Sequence, residues 1–314
     1  MSSQITWSLT GAWNTTRPFQ YVAQTDINAI PTASPAFIAA DIITEVNPSI
    51  DHNSFDVESI GSRTIRDMIT VAQDFGFSLN HFPYSLPLLK YISEPPNETT
   101  PAGTSAEYLG FLLSYKQAVG GTNTEHFVKF QGAKGNSLEI SVDPEGLVSA
   151  TSEWICREIT LPNVASGLTT PVFVEHAATT SPPLSHTDNG PTPLRLAAVD
   201  FPCGAFTINW NNNLKPDRYN GSTLIDALTV TNRRIEGSFM IPVGKNLQLE
   251  TKIRELQQTQ FAASYVFKTG VMVANITNME LINYSPVVNG SNNETFAWEW
   301  SWKAEDASLG TAIV

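Results

Sequence analysis

The sequence predicts a mainly β fold: antiparallel sandwich or barrel sheets with short flanking helices, in a pattern that occurs twice along the chain. Three observations carry this. Apolar and polar residues alternate with period two through most apolar segments. Helical periodicity is confined to two short stretches. The order strand, polar loop, strand, helix, strands recurs in the second half.

The elements follow in chain order. Phe75, Phe77 and Leu79 alternate with Gly76, Ser78 and Asn80, which marks a half-buried strand. Tyr84 to Ile92 is a weak helix candidate in which Pro87 fits only in the first turn, where its missing N–H costs nothing. Leu138, Ile140 and Val142 alternate with Glu139 and Ser141, and the strand stops at the turn Asp143-Pro144-Glu145-Gly146. Strand resumes from Leu147 to Ile159. Residues 166–194, rich in Pro, Ser and Thr, read as an extended connector between a first β domain at 1–165 and a second at 195–314. In the second, Ile235, Phe239, Ile241 and Val243 share one parity, with Gly237 between them. Asn246 to Gln258 is the stronger helix candidate, with Leu249, Ile253 and Leu256 on one face. Phe296, Trp298, Trp300 and Trp302 then alternate with Ala297, Glu299 and Ser301. Four large rings on one strand face read as core before they read as a stacking platform for sugars or bases.

Composition excludes several functions. The 314 residues carry 18 basic and 30 acidic side chains, a net charge of -12. Gripping nucleic acid requires clustered Lys and Arg, so this chain is not expected to do so. Residues 1–160 hold 17 acidic and 8 basic side chains, and the rest hold 13 and 10, so the acidity is concentrated in the first half. No stretch of ~18 apolar residues occurs, so no membrane span is expected. Nor does the N-terminus read as a secretory signal.

Chemistry-bearing motifs are absent. There is no nucleophile elbow, phosphate loop, dinucleotide fingerprint or paired-histidine zinc motif. Asp51, Asp56 and Glu58 lie with Asn53 and Ser54 in a polar stretch, but lack a twelve-residue calcium loop with a closing Glu. Cys156 and Cys203 read as buried thiols. Neither an enzyme, a cofactor nor a metal is expected.

Four stretches resemble the tail tube (major tail) proteins of long-tailed bacteriophages and tailed archaeal viruses. DIITEVNPSIDHNSFDVESIGSRTIRDM looks like that family's opening strand and extended loop. FGFSLNHFPYSLPLLKYI looks like the next strand running into the helix. EHFVKFQGAKGNSLEISVDPEGLVSATSEWICREI matches the strand, Gly-bearing joint, strand, turn and long strand. FTINWNNNLKPDRYNGS followed by TVTNRRIEGSFMIPV looks like the corresponding elements again. The resemblance covers residues 20–306. It implies a β domain of tail-tube type whose subunits close into rings that stack into a tube, a conduit through which viral DNA leaves the virion.

On that reading the protein is a structural virion component, assembled in the host cytoplasm. Its partners are itself and other tail proteins. DNA passes without specific binding, because an acidic lumen repels phosphates. Two tube domains in one chain favour a trimeric ring with pseudo-sixfold symmetry over a hexamer. The polar loops 46–66 and 212–232 are the candidates for contacts between rings, through Asp51, Asp56, Glu58, Arg63, Lys215, Asp217 and Arg218. The alternatives are a decoration or baseplate protein, or a carbohydrate-binding module that uses the Trp-rich strand.

Overall fold

A computed structural model describes residues 19–24, 26–28, 38–39, 42–57, 67–94, 107–119, 122–160, 182–219, 221–242, 255–256, 259–287 and 297–313. The first half contains β1 (Gln20–Gln24), β2 (Ile38–Ala39), β3 (Ile42–Val57), β4 (Asp67–Phe82), α1 (Pro87–Ser93), β5 (Tyr108–Val119), β6 (Thr122–Val142), β7 (Val148–Cys156) and β8 (Glu158–Thr160). The second contains β9 (Leu194–Leu196), β10 (Val199–Phe201), β11 (Phe206–Asn211), β12 (Leu214–Asp217), β13 (Ala227–Val230), β14 (Arg234–Pro242), β15 (Phe261–Lys268), β16 (Met272–Val287), β17 (Ala297–Ala304) and β18 (Asp306–Gly310).

The period-two segments all became strands. Along β7 the burial alternates residue by residue, with Trp154 and Cys156 inside and Thr151 and Glu153 outside. On β17, Trp300 and Trp302 are buried and Trp298 is half-buried, so the aromatic face packs inward. Helix α1 begins at Pro87 in its first turn and buries Leu88, Leu89 and Ile92. Of the expected helix at 246–258 only Glu255 and Leu256 are described, and both are helical. Val243, Phe296 and connector residues 166–181 lie outside the described residues. Connector residues 182–194 are well packed: Leu184 and Leu194 are fully buried, and Asp188 accepts from the Ser185 N–H at 2.9 Å and pairs with Lys268 at 3.1 Å.

The two stretches read as polar loops are β-hairpins. Residues 42–57 form β3, which pairs antiparallel with β4 along its whole length, from Ile42↔Phe82 to Val57↔Asp67. Residues 214–217 and 227–230 form a two-stranded sheet, β12 with β13, registered from Leu214↔Val230 to Asp217↔Ala227. Backbone pairing overrode the low β-propensity of Asp, Asn, Ser and Pro here.

The principal sheet runs β3–β4–β7–β6–β11–β14–β17–β16, antiparallel at each step. Two smaller layers flank it. One is β2–β1–β5 with the first part of β6 and β8; the other is β10–β9–β15 with the first part of β16 and β18. Thus β6 and β16 each cross from a flanking layer into the principal sheet, as strands do at sandwich corners. Each turns the corner at a residue of positive φ, Gly132 at 59° and Asn278 at 52°. A Cβ at Gly132 would meet the Ile27 carbonyl oxygen at 2.5 Å, so glycine is required there twice over.

The same pairings occur in both halves. The set β3·β4, β4·β7, β7·β6, β6·β5, β6·β8, β5·β1 and β1·β2 recurs as β11·β14, β14·β17, β17·β16, β16·β15, β16·β18, β15·β9 and β9·β10. Irregularities recur as well. The shift between Gly135 and Ser137 opposite Trp154 matches that between Leu281 and Asn283 opposite Trp302. The shift between Leu109 and Phe111 matches that between Phe261 and Ala263.

One pairing joins the halves: β6 with β11, from Ser137↔Asn211 to Val142↔Phe206. Leu138, Ile140, Val142, Phe206, Ile208 and Trp210 line its inner face, all at most 1% exposed. A single core cluster accordingly spans both halves. The seam ends at buried Asn212, whose side-chain amide donates to the Ile92 and Gly135 carbonyls at 3.0 and 2.9 Å. Arg233, held by Asp306 at 2.9 Å, ties the halves again through the Ser93 carbonyl.

Gly237 on β14 faces Trp302, and a Cβ there would lie 2.1 Å from the Thr207 carbonyl oxygen and 2.6 Å from the indole. Gly237→Ala is therefore expected to destabilise the fold by about 1–3 kcal/mol through overpacking. Chemical denaturation checks this, with exposed Glu236→Ala as a neighbour that should change little.

Candidate functional site

The principal sheet has one buried face and one polar face, because its strands keep a common parity across seven pairings. Reading across the polar face, Glu45 stands opposite Asn80, Asn80 opposite Thr151, Thr151 opposite Glu139, Glu139 opposite Asn209, Asn209 opposite Glu236, and Glu236 opposite Lys303. The row is hydrogen-bonded sideways: Asn80 donates to Glu45 at 2.7 Å and Thr151 donates to Asn80 at 3.0 Å. Ser137 donates to Glu153 at 3.0 Å, Ser141 bonds Ser149 at 2.8 Å, and Thr207 bonds Ser238 at 3.0 Å.

The charge of this face is one-sided. It carries the carboxylates of Glu45, Asp51, Asp74, Glu139, Glu153, Glu236, Glu280 and Glu299 against the cations of Arg234 and Lys303, with Arg218 reaching in to Asp74. Lys303 is engaged with Glu280 at 3.3 Å. Such a surface is wettable, stiffly held by the sheet behind it, and repels polyanions.

The second feature is the β12–β13 hairpin and its loop, which fold onto the flank of the first half. Arg157 donates to the Ile225 carbonyl at 2.8 Å and pairs with Asp226 at 3.5 Å. Lys134, almost wholly buried, donates to the Leu228 carbonyl at 3.2 Å and stands 5.6 Å over the Tyr108 ring. Burial lowers the Lys134 pKa from its ordinary value, with Glu107 acting weakly in the other direction. Ile225 and Leu228 pack with Ile27 and Tyr108 in a small apolar cluster.

The expected contact residues divide accordingly. Asp51 is exposed on β3 opposite Asp74, and Asp74 is paired by Arg218, which also donates to the Gln73 carbonyl at 3.0 Å. Asp51 and Arg218 are thus gathered around Asp74. Lys215 pairs with Asp217 at 3.4 Å, and Asp217 accepts from Thr229 at 2.9 Å. Asp56 lies on β3, while Glu58 and Arg63 lie outside the described residues. Sequence reasoning missed the polar face as a unit. Glu139, Glu236 and Glu299 each sit at the polar parity of a recognised strand, which was a usable signal. Missing was the strand order that brings them side by side.

Cys156 is buried as expected, whereas Cys203 is only partly buried. Burial pushes Cys156 far above the ordinary thiol range, and Cys203, which donates to the Ala205 carbonyl at 3.1 Å, is pushed by burial up to about 12. Among the described residues no group of three or more His, Cys, Asp or Glu could hold a metal. No helix among them is long and apolar enough to cross a membrane.

Residues 19–295 match the family model described as phage tail tube protein. The chain belongs to the phage tail tube protein family. No curated protein matches it. A tail tube protein is a structural component of the virion tail.

The loop contact has a pH signature. The Tyr219 N–H, donating at 2.8 Å, holds the Asp226 carboxyl below the usual carboxylate range, with help from Arg157. A depressed folded-state pKa gives stability that is present above the unfolded value of about 4 and is lost as pH falls through the folded value. Amides of residues 219–226 are expected to lose hydrogen-exchange protection as pH drops below about 4. Asp226→Asn should show the weaker protection already at neutral pH, with little further pH dependence.

Proposed function

We propose that this protein self-assembles into rings whose stacking builds the tail tube, and that the polar face of the principal sheet lines the bore through which viral DNA travels. The observation that carries the reading is the charge of that face, eight carboxylates against three cations on a sheet wide enough to be a wall. A phosphate backbone meeting such a wall finds few cations, two of them already paired with carboxylates, so little drives its counterions off and DNA slides without sticking. The virion tail is then the site of action, reached after assembly in the host cytoplasm, with other tail proteins at the ends of the tube.

Three chains per ring fit the dimensions better than six. Eight strands ~4.8 Å apart and tilted ~40° cover about 50 Å of circumference. Three such sheets close a circle about 48 Å across between backbones, and six would double it. Side chains narrow the smaller circle to a bore suited to a single duplex. The paired set of strands in each half supports the same count, since each half then acts as one of six ring positions. The two hairpins, β3–β4 beyond Asp51 and β12–β13, are proposed to lie at ring junctions, with Asp51, Asp56, Glu58, Arg63, Lys215, Asp217 and Arg218 among their polar residues.

Negative-stain electron microscopy of the concentrated protein is expected to show hollow stacked rings, and native mass spectrometry a trimer as the smallest ring. A dispersed monomer at high concentration would overturn the reading. Replacing Glu139, Glu153, Glu236 and Glu299 by Lys should leave tubes intact but make them retain duplex DNA. That retention should fall steeply with added salt, as phosphate contacts do. If the variant tubes ignore DNA, the polar face is not the bore.

A further inference from the structure

The two halves of the chain are joined along one strand pairing. In the repeated set of pairings, β11 is the counterpart of β3, and β6 is the counterpart of β16. The pairing of β6 with β11 joins the halves. Its counterpart, β16 with β3, does not occur within the chain: β3 sits at one end of the principal sheet and β16 at the other. Among the described residues, the edge of β3 away from β4 carries no strand, and neither does the edge of residues 280–287 away from β17. Open edges of this length are templates for pairing. The chain already shows which partner such an edge takes.

We propose that β3 of one copy pairs antiparallel with β16 of the next, in the register that β11 keeps with β6, so that identical copies continue the sheet around the ring. The inference rests on the ring reading above. The register follows by stepping through shared partners. Pro48 opposes Phe77, which opposes Trp154; Ile208 opposes Gly237, which opposes Trp302. Pro48 therefore corresponds to Ile208, and Ser49 to Asn209. On the other side, Ser137 and Asn283 are the first paired positions after matching bulges, so Glu139 corresponds to Ser285 and Ile140 to Pro286. Since Ile208 opposes Ile140 and Asn209 opposes Glu139 in the seam, Pro48 falls opposite Pro286 and Ser49 opposite Ser285 of the neighbouring copy.

The two prolines mark both strands as edge strands. Proline cannot donate to a ladder and is tolerated in edge strands. Both edges concerned carry one, at Pro48 and Pro286. The interchain seam is consequently weaker per residue than the Ile208–Ile140 seam, where both residues can donate. The contact is heterologous, one edge meeting a different edge, which is the arrangement that closes a ring by rotation.

Cysteine pairing tests it. Opposed positions of an antiparallel pair place Cα atoms ~4.5–5.5 Å apart, within the range a disulfide spans. The Ser49→Cys/Ser285→Cys chain, oxidised after assembly, is expected to run as covalently closed trimers on denaturing gels. Mixing the two single variants should give covalent dimers of one of each, and neither single variant alone should cross-link. Ser49→Cys/Ser301→Cys is the control, since β17 lies one strand further in, ~10 Å away, and should stay uncross-linked. Hydrogen exchange on the unaltered chain gives a readout free of substitutions: amides of 47–51 and 283–287 should gain protection on assembly. Rings that form, while these amides stay exposed and the Ser49/Ser285 pair stays reduced, overturn the seam and leave the tube reading standing. Cross-linking of the Ser49/Ser301 control instead overturns β16 as the partner strand. Absence of rings in the unaltered protein overturns both.

Discussion

A strand edge is a row of N–H and C=O groups that must find partners or water, and this constraint organises the whole chain. Within the first half, β4, β7 and β6 satisfy one another in sequence, and the remaining edge of β6 is met by β11. That single meeting turns two sets of strands into one sheet. It also buries six apolar side chains on the inner face, so edge satisfaction and core formation happen at the same place. Asn212 closes the end of the seam, using one buried amide to serve two carbonyls that would otherwise face apolar surroundings.

Two long strands do double duty. β6 and β16 begin in a flanking layer and end in the principal sheet, and each depends on one residue that tolerates positive φ. The first half uses Gly132, packed against Ile27, and the second uses Asn278. The layers enclosed by these corners are filled with rings: Phe77, Phe111, Phe130 and Trp154 on one side, Phe206, Tyr265, Phe267 and Trp302 on the other. Ring–ring contacts of this kind add to area burial and fix how the layers sit.

Much of this was legible in the sequence. Period-two alternation located the inward faces of β4, β6, β7, β14 and β17, because parity is set by the strand itself and needs no knowledge of neighbours. Pro87 placed the start of α1 for an equally local reason. The polar stretches at 46–57 and 214–230 were harder. Their Asp, Asn, Ser and Pro content signals loop, and only the partner strands β4 and β13 make them hairpins. The site was less legible still. Glu139, Asn209 and Glu236 are far apart in sequence, and their adjacency is a property of strand order, which alternation does not encode. The tail tube resemblance named the role but left the wall unlocated.

The seam between β6 and β11 lies within one covalent chain. Two strands on separate molecules meet at a rate set by concentration, and give up ~4–15 kcal/mol of translational and rotational freedom when they do. Strands on one chain give up only the entropy of closing a loop, which grows slowly with its length. Dilution separates molecules from each other, but it cannot separate β6 from β11. That junction is complete before any second molecule arrives, and it forms equally well in the first chain synthesised and in the last.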